Sequence, residues 1–118
     1  VLEKRAGYFL SNCDIYVNVV GGLKLDEPAS DLSVALALIS SLKDAPIRDD
    51  VIAFGEIGLG GEIRSIGSCE QRIKEAARLG FKRCIVPYHN YRNLNQSIKS
   101  LVEIVPARTI RAAFDSAI

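Results

Sequence analysis

Between Val51 and Leu79 the hydrophobic period of the chain changes from strand to helix, and that switch limits the folds open to it. Val51 to Ile57 reads as a strand, Gly58-Leu-Gly-Gly61 as a tight turn, and Glu62 to Ile66 as a short return strand, so the segment predicts a hairpin. Ser68 then stands at an N-cap position, and Cys69, Ile73, Ala76, Ala77 and Leu79 recur at helical spacing up to Gly80, the expected C′ residue. A chain that pairs strands and then covers them with an amphipathic helix is α/β or α+β.

The flanks extend this pattern. Val1 to Leu10 reads as the end of a helix through Leu2, Ala6, Phe9 and Leu10, and Asp14 to Val20 alternates as a half-buried strand ended by Gly21-Gly22. Pro28 suits the first turn of a helix whose apolar stripe is Leu32, Leu36, Ile39 and Leu42, and Pro46 closes that region. Alanines and serines fill its other face, which predicts packing on more than one side. Arg83 to Val86 reads as a buried strand stopped by Pro87. Tyr88 to Ile98 reads as a polar, aromatic loop with a short helical turn, Leu101 to Val105 as a last strand, and Thr109 to Ile118 as a last helix.

At 118 residues the chain is expected to form one domain over residues 1–118, large enough for a real core. No apolar run approaches the ~20 residues that cross a bilayer, and the start has no signal-peptide layout. A cytoplasmic location without membrane contact is therefore expected. Net charge is +1, so any nucleic-acid contact must rest on where charges sit and not on their sum. Cys13, Cys69 and Cys84 lack metal-site spacing and read as reduced thiols. The only histidine, His89, lies in a separate turn, which disfavours a Cys-His pair with Cys69. There is no methionine, and the simplest reading is a piece of a longer protein.

Two segments carry a resemblance. Asp26-Glu-Pro-Ala-Ser-Asp31 and Gly55-Glu-Ile-Gly-Leu-Gly-Gly-Glu-Ile-Arg-Ser-Ile-Gly-Ser-Cys-Glu-Gln-Arg72 are similar to the two signature regions of Lon-type protease domains. The active family reads Asp-Gly-Pro-Ser-Ala-Gly in the first and Gly-Glu-Ile-Thr-Leu-Arg-Gly…Gly-Gly-Leu-Lys-Glu-Lys in the second. Residue on residue, the nucleophilic serine position is Ala29 and the lysine position is Glu70. A methyl group cannot attack a carbonyl, and a carboxylate cannot replace a neutral amine. With Val1-Leu-Glu-Lys-Arg-Ala-Gly7, Gly21-Gly-Leu-Lys-Leu25 and Glu75-Ala-Ala-Arg-Leu-Gly-Phe81, the chain resembles throughout the Lon-like C-terminal domains of the RadA (Sms) family of bacterial repair proteins, which also typically lack the dyad.

That resemblance implies an α+β fold of the Lon catalytic-domain, ribosomal-protein-S5 second-domain type, without peptidase activity. It implies a homohexameric ring and contact with double-stranded DNA, within an ATP-driven branch-migration motor that works with the strand-exchange recombinase in repair and recombination. ATP, Mg and zinc belong by the same resemblance to upstream ATPase and zinc-binding parts. This chain has neither the Gly-x-x-x-x-Gly-Lys-Ser/Thr phosphate loop nor a four-cysteine pattern, so no cofactor is expected in it.

Within the twenty positions from 64 to 83, Arg64, Arg72, Lys74, Arg78, Lys82 and Arg83 face only Glu70 and Glu75 nearby in sequence. Such a stripe can meet phosphates, although a solvated helix face explains it equally well. Glu70 and Lys74 are spaced for an i,i+4 pair. An active peptidase would need Ser30 and Lys74 instead of the family positions, and using Ser30 turns the helix stripe about 100 degrees away from the core. A purely structural oligomerisation module is the third reading. Lys24, Asp26 and Glu27 form a loop without a third metal ligand, and Asp26 reads better as a cap. Tyr88, His89, Tyr91 and Arg92 mix aromatic and basic groups, as a base-stacking surface or an ordinary amphipathic turn does.

Overall fold

The apolar runs at 51–53, 83–87 and 103–107 become parallel strands, because helix lies between each of them and the next. A computed structural model describes residues 31–118. The predicted elements before Asp31, with Ala29, Ser30, Lys24, Asp26, Glu27 and Cys13, lie outside the described residues. The elements are α1 (Asp31–Lys43), β1 (Val51–Ala53), β2 (Glu56–Ile57), β3 (Ile63–Arg64), α2 (Cys69–Arg78), β4 (Arg83–Pro87), α3 (Tyr88–Arg92), α4 (Gln96–Lys99), β5 (Glu103–Ala107) and α5 (Ile110–Ala117).

Strands β1, β4 and β5 form a parallel sheet in that order, and β2 pairs with β3 as an antiparallel ribbon. The central strand β4 has Cys84, Ile85 and Val86 fully buried, as expected for a strand covered on both faces. The mixed helix and strand composition with a small parallel sheet fits the α+β class.

The strand expected over Val51–Ile57 is two strands in two sheets. After Ala53 the chain leaves β1, and at Glu56 it enters the ribbon. Gly55 makes this crossing at close quarters, since a Cβ there would lie 2.9 Å from Ile63 Cγ2 and 3.3 Å from Leu32 Cβ. Periodicity alone does not separate the two pieces, because both are apolar and extended. The last strand is likewise displaced, to Glu103–Ala107, and the segment after Pro87 holds two short helices where one turn was expected.

Helix α1 corrects the predicted stripe. Leu32 and Leu36 are buried, but Ser33, Ala37 and Ser40 complete the inner face, while Leu42 is 85% exposed. The serines are admitted because each hydroxyl finds a carbonyl: Ser33 Oγ donates to Ala53 O and Ser40 Oγ to Ala45 O, both at 2.6 Å. Small side chains let α1 approach β1, and α1 also packs against α5. The residues left outside, Val34, Leu38 and Leu42, form an exposed i,i+4 row.

Helix α2 buries Cys69, Ile73 and Ala76. Its C-terminus is a Schellman closure: Gly80 N donates to Ala77 O and Phe81 N to Ala76 O, with Gly80 at φ 98°. At the other end Ser68 is the cap residue, but its hydroxyl makes no capping bond. Its backbone is left-handed, φ 58° and ψ 33°, whereas a side-chain cap needs the extended region. Thr109, read as the first residue of the last helix, is its cap instead, with Oγ1 accepting from Ala112 N at 3.1 Å.

Candidate nucleic-acid interface

The start of α1 and the ribbon are bolted together. Leu32 N, one of the free amides of the first turn, donates to Gly55 O at 3.0 Å, and the Asp31 carboxylate accepts from Ile57 N at 3.1 Å. The ends of the two signature segments therefore meet. The helix carrying Glu70, Gln71 and Arg72 follows directly from the ribbon.

In the predicted stripe, Arg64, Arg78 and Arg83 are answered by acids. Arg64 Nε lies 3.1 Å from Glu62 Oε2, Arg78 Nη2 2.6 Å from Glu75 Oε2, and Arg83 Nε 2.7 Å from Glu103 Oε1. Arg83 also donates to Ser116 O at 2.7 Å, which closes its fork on the protein itself. Arg72 Nε donates to Gly67 O at 3.0 Å. Lys74 and Lys82 are exposed and enter no ion pair among the described residues. The expected Glu70–Lys74 pair is not formed; the acid that closes on this helix is Glu75, with Arg78 one turn on.

Acids also crowd the edge of the sheet where Lys82 and Arg83 lie. Asp50 accepts two bonds from Arg48, at 2.9 and 3.1 Å, and this bonding holds the Asp50 carboxyl below the ordinary carboxylate range. Lys82 contributes through space to the same effect. The sequence shows Glu103, Asp49 and Asp50 but not that the parallel register delivers them to this edge.

At the opposite ends of the strands is a second basic region, a cleft of about 520 Å³. Glu62 and Arg64 come from the ribbon, Tyr88, His89 and Arg92 from α3, and Arg108 from the residue after β5. Its walls are tied to each other. Asn90 accepts from Ile66 N at 2.9 Å and donates to Ile66 O at 3.0 Å, Glu62 bridges to Thr109, and Ile63 N donates to Arg108 O at 3.4 Å. The Arg108 guanidinium lies 3.9 Å from the Tyr88 ring centroid. The aromatic and basic mixture of 88–92 thus splits: Tyr88, His89 and Arg92 line the cleft, while Tyr91 packs on the core with Lys99 Nζ 4.3 Å from its ring centroid. Arg108 escaped sequence reasoning; the available signal was its place just beyond the last residue of a parallel strand.

Neither described cysteine is activated. Burial pushes the Cys69 thiol up to about 11 and the Cys84 thiol up to about 12, the opposite of an activated nucleophile. Among the described residues no three His, Cys, Asp or Glu side chains come together as a metal site, and no helix is long and apolar enough to cross a membrane.

Comparison with known sequences matches residues 3–118 to the Lon protease (S16) C-terminal proteolytic domain. The DNA repair protein RadA of Listeria monocytogenes is 48% identical over 118 residues, all of this chain and 25% of that protein. RadA of Escherichia coli is 49% identical over 90 residues, 76% of this chain and 20% of the relative, and RadA of Synechocystis sp. is 54% identical over 87 residues, 74% and 17%. The chain spans about a quarter of the length of these relatives or less. It belongs to the Lon protease C-terminal domain family, in the form carried by the DNA repair protein RadA.

Proposed function

We propose that this chain is a non-catalytic Lon-like domain that scaffolds a homohexameric ring and contacts double-stranded DNA in a RadA-type repair and recombination motor. The observation that carries the loss of catalysis is the residue content of the two signature segments. Ala29 has no nucleophilic atom, and Glu70-Gln71-Arg72 offers a carboxylate, an amide and a guanidinium, none of which is a neutral amine near pH 7. The competing peptidase would require Ser30 and Lys74, and Lys74 lies on the exposed side of α2. ATP hydrolysis, zinc binding, work with the recombinase and a cytoplasmic location belong in this reading to the whole protein.

A ring contact is supported by the exposed Val34, Leu38 and Leu42 row on α1, an apolar strip that another copy would cover. Duplex contact is supported by Lys74 and Lys82, the exposed stripe cations that enter no ion pair among the described residues, with Arg72, Arg78 and Arg83 as supplementary charge. Two measurements test the reading. Casein or peptide hydrolysis should be absent; activity abolished by Ser30→Ala would overturn the non-catalytic assignment. Duplex binding should weaken as salt rises, with a log–log slope of roughly −0.9 per phosphate neutralised. Reversing Lys74 and Arg78 to Glu should lower affinity across all sequences, and an unchanged affinity and slope would show that the stripe is only a solvated face.

A further inference from the structure

We infer that the cleft between the β2–β3 ribbon, α3 and the end of β5 is a phosphate site, with Arg92 and Arg108 as the residues that hold the anion. This site is separate from the α2 stripe and does not depend on the duplex-binding reading. Arg64 is answered by Glu62 and, at 4.0 Å, by Glu56, whereas Arg92 and Arg108 are exposed and have no acidic partner among the described residues. Two unanswered guanidiniums in one cleft repel each other, so the site gains most from a ligand carrying compact negative charge with several acceptor oxygens. Phosphate supplies both, and arginine forks match its geometry in a bidentate manner.

The cleft is also shaped for this task before any ligand arrives. Arg108 is stacked on Tyr88, which fixes the guanidinium plane and leaves its N–H edge to donate in that plane. The Asn90 amide, bonded to both backbone groups of Ile66, and the Glu62–Thr109 bridge hold the walls together, so less ordering remains to be done on binding. A volume of about 520 Å³ accommodates more than a lone anion and lies within the range of small-ligand sites. The position lies just beyond the carboxyl ends of β4 and β5, whose parallel pairing brings Tyr88 and Arg108 to one place. The ligand class is therefore a phosphate carried on a group of nucleotide size, either a free nucleotide or one unit of a nucleic-acid backbone.

His89 lies in the cleft and is the only histidine in the chain, so its ring resonances form a single-site reporter. Inorganic phosphate and AMP, titrated at constant ionic strength into the full chain, should each move the His89 ring signals along a saturating curve. Arg92→Gln with Arg108→Gln should weaken that response by about tenfold or more, while Lys74→Gln with Lys82→Gln leaves it intact. If the double variant does not fold, Arg92→Gln alone should still weaken it, because that side chain is exposed on a short helix. Displacement of phosphate by a single-stranded oligonucleotide would identify the backbone as the source; AMP binding without such displacement would identify a free nucleotide. No saturable shift with phosphate or AMP would overturn the inference. So would an equal response to acetate, or an unchanged response in the folded arginine variant.

Discussion

The two ends of the parallel sheet use arginine in opposite ways. At the amino ends of the strands, Arg83 pairs with Glu103, its register partner across β4 and β5, and Arg48 with Asp50. At the carboxyl ends, Arg92 and Arg108 line a cleft whose one acid, Glu62, is paired with Arg64, and neither makes an ion pair among the described residues. Arg83 stitches two strands and reaches on to the Ser116 carbonyl of α5, so its bonds belong to the fold. Arg92 and Arg108 make no such bonds among the described residues, which is what recommends them as holders of a ligand. Counting cations along the sequence ranks the first region higher; asking where each guanidinium ends reverses the order.

Both ends of the sheet rest on β4. Ile85→Ala in the middle of β4 removes a fully buried side chain and should cost about 2–5 kcal/mol, read as a lower urea midpoint. Duplex binding and the His89 response to phosphate should then fail together as the denatured fraction grows.

A sharper cut separates the ends. Asn90→Ala strips the Ile66 amide and carbonyl of their partner and should cost about 1–3 kcal/mol. The phosphate response should fall well below that of the parent while the salt slope of duplex binding stays the same. Equal losses in both assays would mean that the cleft and the stripe are one surface.

Ser68→Gly works in the other direction, at the start of the stripe helix. The left-handed backbone there is strained for a residue with a Cβ, and no capping bond is lost, so the substitution should raise stability by about 1 kcal/mol. A fall in the urea midpoint would show that the serine hydroxyl has a role in holding α2.

The smallest effect is a pH dependence confined to the amino-end region. The Asp50 carboxyl is held low in the folded chain, chiefly by the hydrogen bond from Arg48. The folded value lies below the unfolded one of ~3.9, so the contribution is present above that pH and is lost as pH falls through the folded value. A partly exposed pair of this kind is worth within about 1 kcal/mol. Asp50→Asn should flatten the acid limb of the stability curve slightly and leave the phosphate response at neutral pH unaltered.

Much of the architecture was legible where one residue type enforces one geometry. Gly80 after a helical stripe marked the end of α2, the run from Thr109 marked the last helix, and the apolar run at 83–86 marked a buried strand. The split of 51–57 was hidden because what separates β1 from β2 is packing of Gly55 against Leu32 and Ile63, which are distant in sequence. The stripe on α1 was misplaced at Leu42 because Ser33 and Ser40 read as polar until their carbonyl partners are known. The Lon signatures were legible as a resemblance, and the structure shows Asp31 bonded to Ile57 across them. The cleft was only half legible: Tyr88, His89 and Arg92 stood out as a mixed run, but Arg108 joins them only once β4 and β5 lie side by side.

The buried thiols have a practical consequence. Cys69 lies under the first turn of α2 and Cys84 in the central strand, each protonated and covered in the folded state. A thiol reagent can reach them only when that part of the molecule opens, so their modification times are clocks of local opening rather than of surface chemistry. In a Cys13→Ser background, the lag between the two labelling events would time the parting of α2 from the sheet against separation of the strands themselves. The domain thus carries its own two-channel recorder of how it comes apart.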